Sequence, residues 1–227
     1  GIDLQINDGE FVVIMGPSGG GKSTLLHILS GMERPDSGTV TLEGQEITAL
    51  PEKEPAQVRL TQLGFVFQQS HLVQSLNLLD NVALPGLMAK QQSRADVEAR
   101  ARELLGLTGN AEIADHYPTQ ASGGQLQRIG IARALINAPK IVFGDEPTGS
   151  LNRATTTQVL DLFGEVHRAG TTLVVVTHDP LVAARADRVV MLVDGLVRDD
   201  LPLDTYSGDD DRARLNQVSE LMHAHGI

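Results

Sequence analysis

The sequence predicts an α/β protein with a mainly parallel sheet covered on both faces, a small antiparallel β part and an inserted helical segment. Three observations predict it. Short apolar runs of strand length alternate with segments of helical period. The expected strands Phe11–Met15, Ile141–Phe143 and Thr172–Val176 are apolar throughout except for Thr172, as strands buried on both faces tend to be. A glycine-rich loop follows the first run, while Asp145-Glu146 and His178 end the other two, so polar chemistry gathers at one end of the strands.

The elements follow in order. Ile2, Leu4 and Ile6 alternate as in a strand and run into an Asp8-Gly9 turn. The chain opens inside this pattern without a methionine, so a further strand is expected ahead of Gly1. Phe11–Met15 is a buried strand, and Thr24–Leu29 has helical character. The stretch around Gly44, "GTVTLEGQEI", reads as a small hairpin. Val97, Ala101, Leu104 and Leu105 fall on one face of a helix over Arg94–Leu107, with Arg and Glu on the other. A helix is expected over Gln125–Ile136 and another over Thr155–His167. "VVMLVDGLVRD" is a second hairpin with an Asp-Gly turn, and residues 212–223 form a last amphipathic helix packed on the core.

Composition narrows the function. The 227 residues are 41% hydrophobic and 21% charged, ordinary for a globular domain. A formal charge of −11 argues against a nucleic-acid surface, although Asp199, Asp200 and Asp209–Asp211 concentrate acid in the tail. There is no cysteine, which excludes disulfides, thiolate metal sites and cysteine nucleophiles and fits a reducing compartment. The longest apolar runs are far below the roughly 20 residues of a spanning helix, so a membrane role would act through a partner.

"GPSGGGKST", residues 16–24, matches G-x-x-x-x-G-K-[ST] and lies between a predicted strand and a predicted helix. Successive glycines let N–H groups curl around phosphates; Lys22 would reach the β- and γ-phosphates, and Ser23 would hold Mg²⁺. In "KIVFGDEP" a buried strand ends in two carboxylates: Asp145 suits Mg²⁺ through water, and Glu146 suits a general base. A parallel sheet should bring His178 to the same edge, within reach of the γ-phosphate or the attacking water. Gln68, after "GFVF", is unremarkable alone. "TQASGGQLQR", residues 119–128, prepares a second helix start with Ser122, Gly123 and Gly124, suited to an anion although the chain already has a phosphate loop.

Together these segments resemble the nucleotide-binding domain of the ATP-binding cassette family, with motifs in order from Gly16 to about Gly195. The resemblance makes residues 16–24 the Walker A loop, Gln68 the Q-loop, Ser122-Gly123-Gly124-Gln125 the signature, Ile141–Glu146 the Walker B and His178 the switch histidine. It implies a P-loop NTPase (RecA-like) core, a small antiparallel β subdomain and an inserted helical subdomain. The whole chain would be one ATPase domain, with core at about 1–84 and 139–227 and helical part at about 85–138. ATP would be held by Gly16, Pro17, Ser18, Gly19, Gly20, Gly21, Lys22, Ser23, Thr24 and Gln68. Mg²⁺ would be held by Ser23, Gln68 and Asp145, with Glu146, His178 and Lys22 catalytic. In this family two copies face head to tail, so Ser122–Gln125 of one would close over the neighbour's γ-phosphate, which accounts for the second anion-ready helix start.

Some positions depart from the family pattern. Ala121 replaces a leucine, Leu126 a frequent polar residue and Gly144 a bulkier apolar one. Asn152, in the dimer loop "PTGSLN", stands where an aspartate is usual and loses its charge. The adenine-stacking aromatic residue would lie ahead of Gly1. "GFVFQQSHLVQSLNLLDNVALP" and "DEPTGSLN" look most like the lipoprotein-releasing and macrolide-efflux branch. That likeness implies a second copy or a paralogous subunit, an integral membrane permease seated at Gln68 and roughly His71–Val82, and a place on the cytoplasmic face of the membrane. The alternative is a regulatory ATPase of a membrane complex, of the cell-division type, which moves no solute.

Overall fold

The computed structural model describes residues 1–51, 53–204, 206 and 211–227. Asp209 and Asp210 of the acidic tail lie outside the described residues. The chain divides into two compact units, residues 1–49 with 163–227 and residues 50–162.

The first unit is built on β1 (Phe11–Met15), whose five residues are all buried. A strand buried on both faces needs a ladder on each side. β1 has them in β6 (Thr172–Val176) and β7 (Arg188–Val193), both parallel to it. The register sets Ile14 beside Val176 and Ile14 also beside Val190. β8 (Leu196–Pro202) pairs antiparallel with β7 through the Asp194-Gly195 turn, where both residues have positive φ, as a type I′ hairpin requires. Helix α1 (Lys22–Leu29) packs against β6, and the short α7 (Pro180–Ala183) against β1. The last helix, α8 (Asp211–Ala224), packs on α7. Its Arg214 is almost fully buried and donates to the carbonyls of Ala184, Asp204 and Ala186. The expected hairpin at Gly44 is present as β2 (Thr41–Leu42) and β3 (Gln45–Glu46).

One expectation fails here. Residues 2–6 keep their alternation between exposed and half-buried positions but form no strand. Alternation reports which side chains lean on the protein; it does not supply a ladder partner. The Asp8-Gly9 turn that follows is present, and the Asn7 N–H donates to the Glu10 carboxylate at 2.7 Å.

The second unit pairs β4 (Leu63–Phe67) with β5 (Ile141–Asp145) in parallel and surrounds them with helices. These are α2 (Lys53–Gln62), α3 (Leu78–Ala89), α4 (Arg94–Leu107), α5 (Gly123–Ala134) and the start of α6 (Arg153–Arg168). In α4 the expected face is buried, with Val97, Ala101, Leu104 and Leu105 at most 2% exposed. Burying each large side chain contributes about 1.5–3 kcal/mol relative to leaving it in water. Its outer face carries the Arg102–Glu98 and Arg100–Glu103 ion pairs.

Helices α5 and α6 each start two residues earlier than expected, because of a cap. Helix α5 begins at Gly123, since Ser122 and Gln125 form a reciprocal capping box, and it ends at Ala134 rather than Ile136. Helix α6 begins at Arg153, because the Asn152 side chain accepts the Thr155 N–H. Helix α3, whose start overlaps the segment of roughly His71–Val82 expected to seat a permease, is capped by Asn77, whose side chain accepts the Asp80 N–H.

Candidate functional site

In the first unit, β1 delivers the chain into the loop at residues 16–21. Gly16 has φ of 155° and lies so close to the Leu192 carbonyl that a Cβ would stand 1.9 Å from its oxygen. Only glycine fits there. Leu192 follows an irregularity in the β7–β8 register, so the hairpin helps shape the loop. Gly21 precedes α1 in left-handed geometry and offers no side-chain cap. The leading N–H groups of α1 thus receive no cap from Gly21, and the positive end of the helix suits an anion. Lys22 folds back over this loop, its Nζ donating to the carbonyls of Gly16 at 2.8 Å and Pro17 at 2.9 Å. Ser23 and Thr24 occupy the first turn of α1. The β1–β6 ladder continues one step beyond the strands, where the Thr177 N–H donates to the Ile14 carbonyl. His178 therefore leaves the sheet beside the start of the glycine-rich loop.

In the second unit the β4–β5 register places Phe67 beside Asp145, so Gln68 and Glu146 leave adjacent strand ends. Glu146 has φ of 47°, an uncommon conformation for a residue with a side chain and one that costs on the order of 1 kcal/mol. The turn it begins closes on itself: the Gly149 N–H donates to the Glu146 carbonyl and the Leu151 N–H to that of Thr148. This turn grips Gln68. Ser150 donates to the Gln68 carbonyl, and a Cβ at Gly149 would come within 3.0 Å of the Gln68 amide nitrogen.

Ser122–Gln125 form the first turn of α5. The Gln125 carboxamide oxygen accepts from the Ser122 N–H at 2.8 Å and from its hydroxyl at 2.9 Å, while Ser122 Oγ accepts the Gln125 N–H. Asn152 ends the loop after Glu146 and uses its carboxamide oxygen on Thr155 of its own chain.

Several contributors were not legible in the sequence. Gln127 donates to the Phe67 carbonyl at 2.9 Å, just ahead of Gln68. Arg133 donates to the carbonyls of Ser70 and His71 at 2.6 and 2.9 Å, holding His71 at φ of 45°. Burial pushes the Arg133 guanidinium below its ordinary pKa, because leaving water disfavours the charged form. Asn81, 1% exposed, bonds both backbone groups of Val73 and the carbonyls of Leu76 and Asn77. The segment after Gln68 is thereby fixed from two helices, and it displays the half-exposed Val73. Gln127 and Arg133 sit within helical repeats that carry no sign of such distant partners.

Comparison with known proteins agrees with these features. The sequence model of the family described as "ABC transporter" matches residues 1–149. The macrolide export ATP-binding/permease protein MacB of Rhodopseudomonas palustris (strain HaA2) is 47% identical over 196 residues, 86% of this chain but only 30% of that protein. The lipoprotein-releasing system ATP-binding protein LolD of Bordetella pertussis is 46% identical over 200 residues, covering 88% of this chain and 86% of LolD. Among solved structures, the dimeric post-hydrolysis state of the ATP-binding cassette MJ0796 bound to ADP and Pi is 39% identical, with a TM-score of 0.83 over 90% of both chains. With a phosphate loop, a second glycine-prepared helix start and this breadth of similarity, the chain belongs to the ABC transporter family, as one of its ATP-binding cassettes.

Proposed function

We propose that the chain binds and hydrolyses ATP as a head-to-tail pair with a second copy or a paralogous subunit, and that the closing and reopening of the pair drives an integral membrane permease. The observation that carries this reading is the inequality of the two anion-ready helix starts. The one at Gly21 comes with a lysine folded over it; the one at Ser122 is closed by its own capping box, and is suited to complete a site whose phosphates are already held. Residues 16–24 hold the triphosphate, and Lys22 places its charge on the β- and γ-phosphates. Ser122–Gln125 close over the γ-phosphate bound by the other copy.

The hydroxyl of Ser23, the amide oxygen of Gln68 and the carboxylate of Asp145 are hard oxygen donors, the kind Mg²⁺ prefers. Bound by them, the ion would neutralise charge on the phosphate oxygens. Glu146 accepts a proton from water as its oxygen attacks the γ-phosphorus, and the bond to the ADP oxygen breaks. His178 hydrogen-bonds the γ-phosphate or that water.

Attachment to the cytoplasmic face through the permease belongs to the same proposal; no helix among the described residues is long and apolar enough to cross a membrane. The segment after Gln68, braced by Arg133 and Asn81, is the seat for it. Helices of residues 85–138 act as one subdomain. Names of the relatives favour export or extrusion of lipoprotein, peptide or antibiotic-like substrates over a regulatory role without transport. Sizing a Glu146→Gln variant with ATP and Mg²⁺ tests the pairing: a stable dimer is expected, since the phosphate clamps survive while base catalysis is lost. A monomer at all ATP concentrations would refute it.

A further inference from the structure

Thr155 has no role in the account so far, yet it touches two of its parts. It lies in the first turn of α6. Its N–H and hydroxyl both donate to the Asn152 carboxamide oxygen, at 3.0 and 3.1 Å. Threonine is stiff about χ1, so fixing the hydroxyl also fixes the methyl group. That methyl points at the signature: a Cβ built on Gly124 would stand 2.4 Å from Thr155 Cγ2 and 3.3 Å from its Oγ1. Glycine and threonine therefore interlock. A second tie repeats the contact one turn further on, where Arg128 of α5 donates to Gln158 of α6 at 2.8 Å. Ser122 is carried along, because it is boxed to Gln125 in the same turn.

We propose that Thr155 is a positioning residue: by clasping Asn152 and abutting Gly124, it fixes the signature turn to the end of the loop that follows Glu146. The signature and that loop then move as one body when a second copy approaches. Thr155 acts through Asn152 and Gly124 rather than as a catalytic residue. The inference rests on the head-to-tail reading proposed above.

The test uses Glu146→Gln as parent and adds Thr155→Ala, Thr155→Ser or Thr155→Val. ATP-driven dimerisation is followed by sedimentation, and ATP affinity of the dilute monomer by titration with a fluorescent ATP analogue. Thr155→Ala is expected to weaken dimerisation about tenfold while monomer affinity stays within twofold, a split that general structural damage would not give. Serine keeps the bond to Asn152 and valine keeps the methyl contact, so each should fall between. These two carry the test if the alanine variant does not fold. Dimerisation within twofold of the parent, or equal losses in dimerisation and monomer affinity, would overturn the proposal. A parent that never dimerises with ATP would instead overturn the head-to-tail reading, and this inference with it.

Discussion

The two glycine-prepared helix starts of this chain are built in opposite ways. Helix α1 starts from Gly21, which supplies no side-chain cap, and its lysine donates to the loop's own carbonyls at Gly16 and Pro17. Helix α5 starts from Ser122 inside a capping box, and its first turn is braced by Thr155 of another helix. The first start is a self-contained binding loop that nearby backbone shapes. The second is a presented surface, held rigid by distant side chains, with its serine already engaged. A site meant to capture a free ligand needs open donors; a lid for a ligand held elsewhere needs stiffness.

This contrast can be broken at either end. The largest effect should come from the loop. Gly16→Ala drives a Cβ into the Leu192 carbonyl and is expected to cost on the order of 3 kcal/mol or more, read as a lower urea midpoint. Lys22→Ala should lower that midpoint less than Gly16→Ala does, since it loses two bonds to loop carbonyls without a clash, but should remove most ATP binding, measured by nucleotide titration. Next comes the brace behind Gln68. Arg133→Met strips two charge-assisted bonds from the carbonyls of Ser70 and His71 and should cost about 1.5–3 kcal/mol, again by urea unfolding.

At the signature, Gly124→Ala overpacks against Thr155 and should cost about 1–3 kcal/mol. Adding Thr155→Ala should return part of that loss, so a double-mutant cycle by thermal unfolding will show coupling. The smallest effects belong to the loop after Glu146. Asn152→Ala removes the α6 cap for about 1 kcal/mol, while Asn152→Asp keeps it and should be neutral or slightly stabilising, with a negative charge at a helix start.

Legibility in the sequence followed the range of the interactions. The phosphate loop could be read because glycine spacing, lysine and flanking strand and helix all sit within a few residues of one another. Buried strands such as Phe11–Met15 announced themselves through unbroken apolar runs. The alternation of Ile2, Leu4 and Ile6 misled, since a strand needs a partner that no local pattern encodes. Helix α3 hid because Pro85 sits inside it and its start depends on the Asn77 cap. Arg133 and Thr155 were silent for a deeper reason: each acts on residues far away in the chain, and neither lies within a recognisable spacing.

The central claim is that a complete catalytic site takes loop residues from one copy and signature residues from another. It is tested most directly by mixing two variants each expected to be inactive alone, Lys22→Ala and Ser122→Arg, and measuring phosphate release. The mixed pair contains one site with both an intact loop and an intact signature. Random pairing should therefore restore about a quarter of the wild-type rate. A mixture no more active than either variant alone would contradict the account.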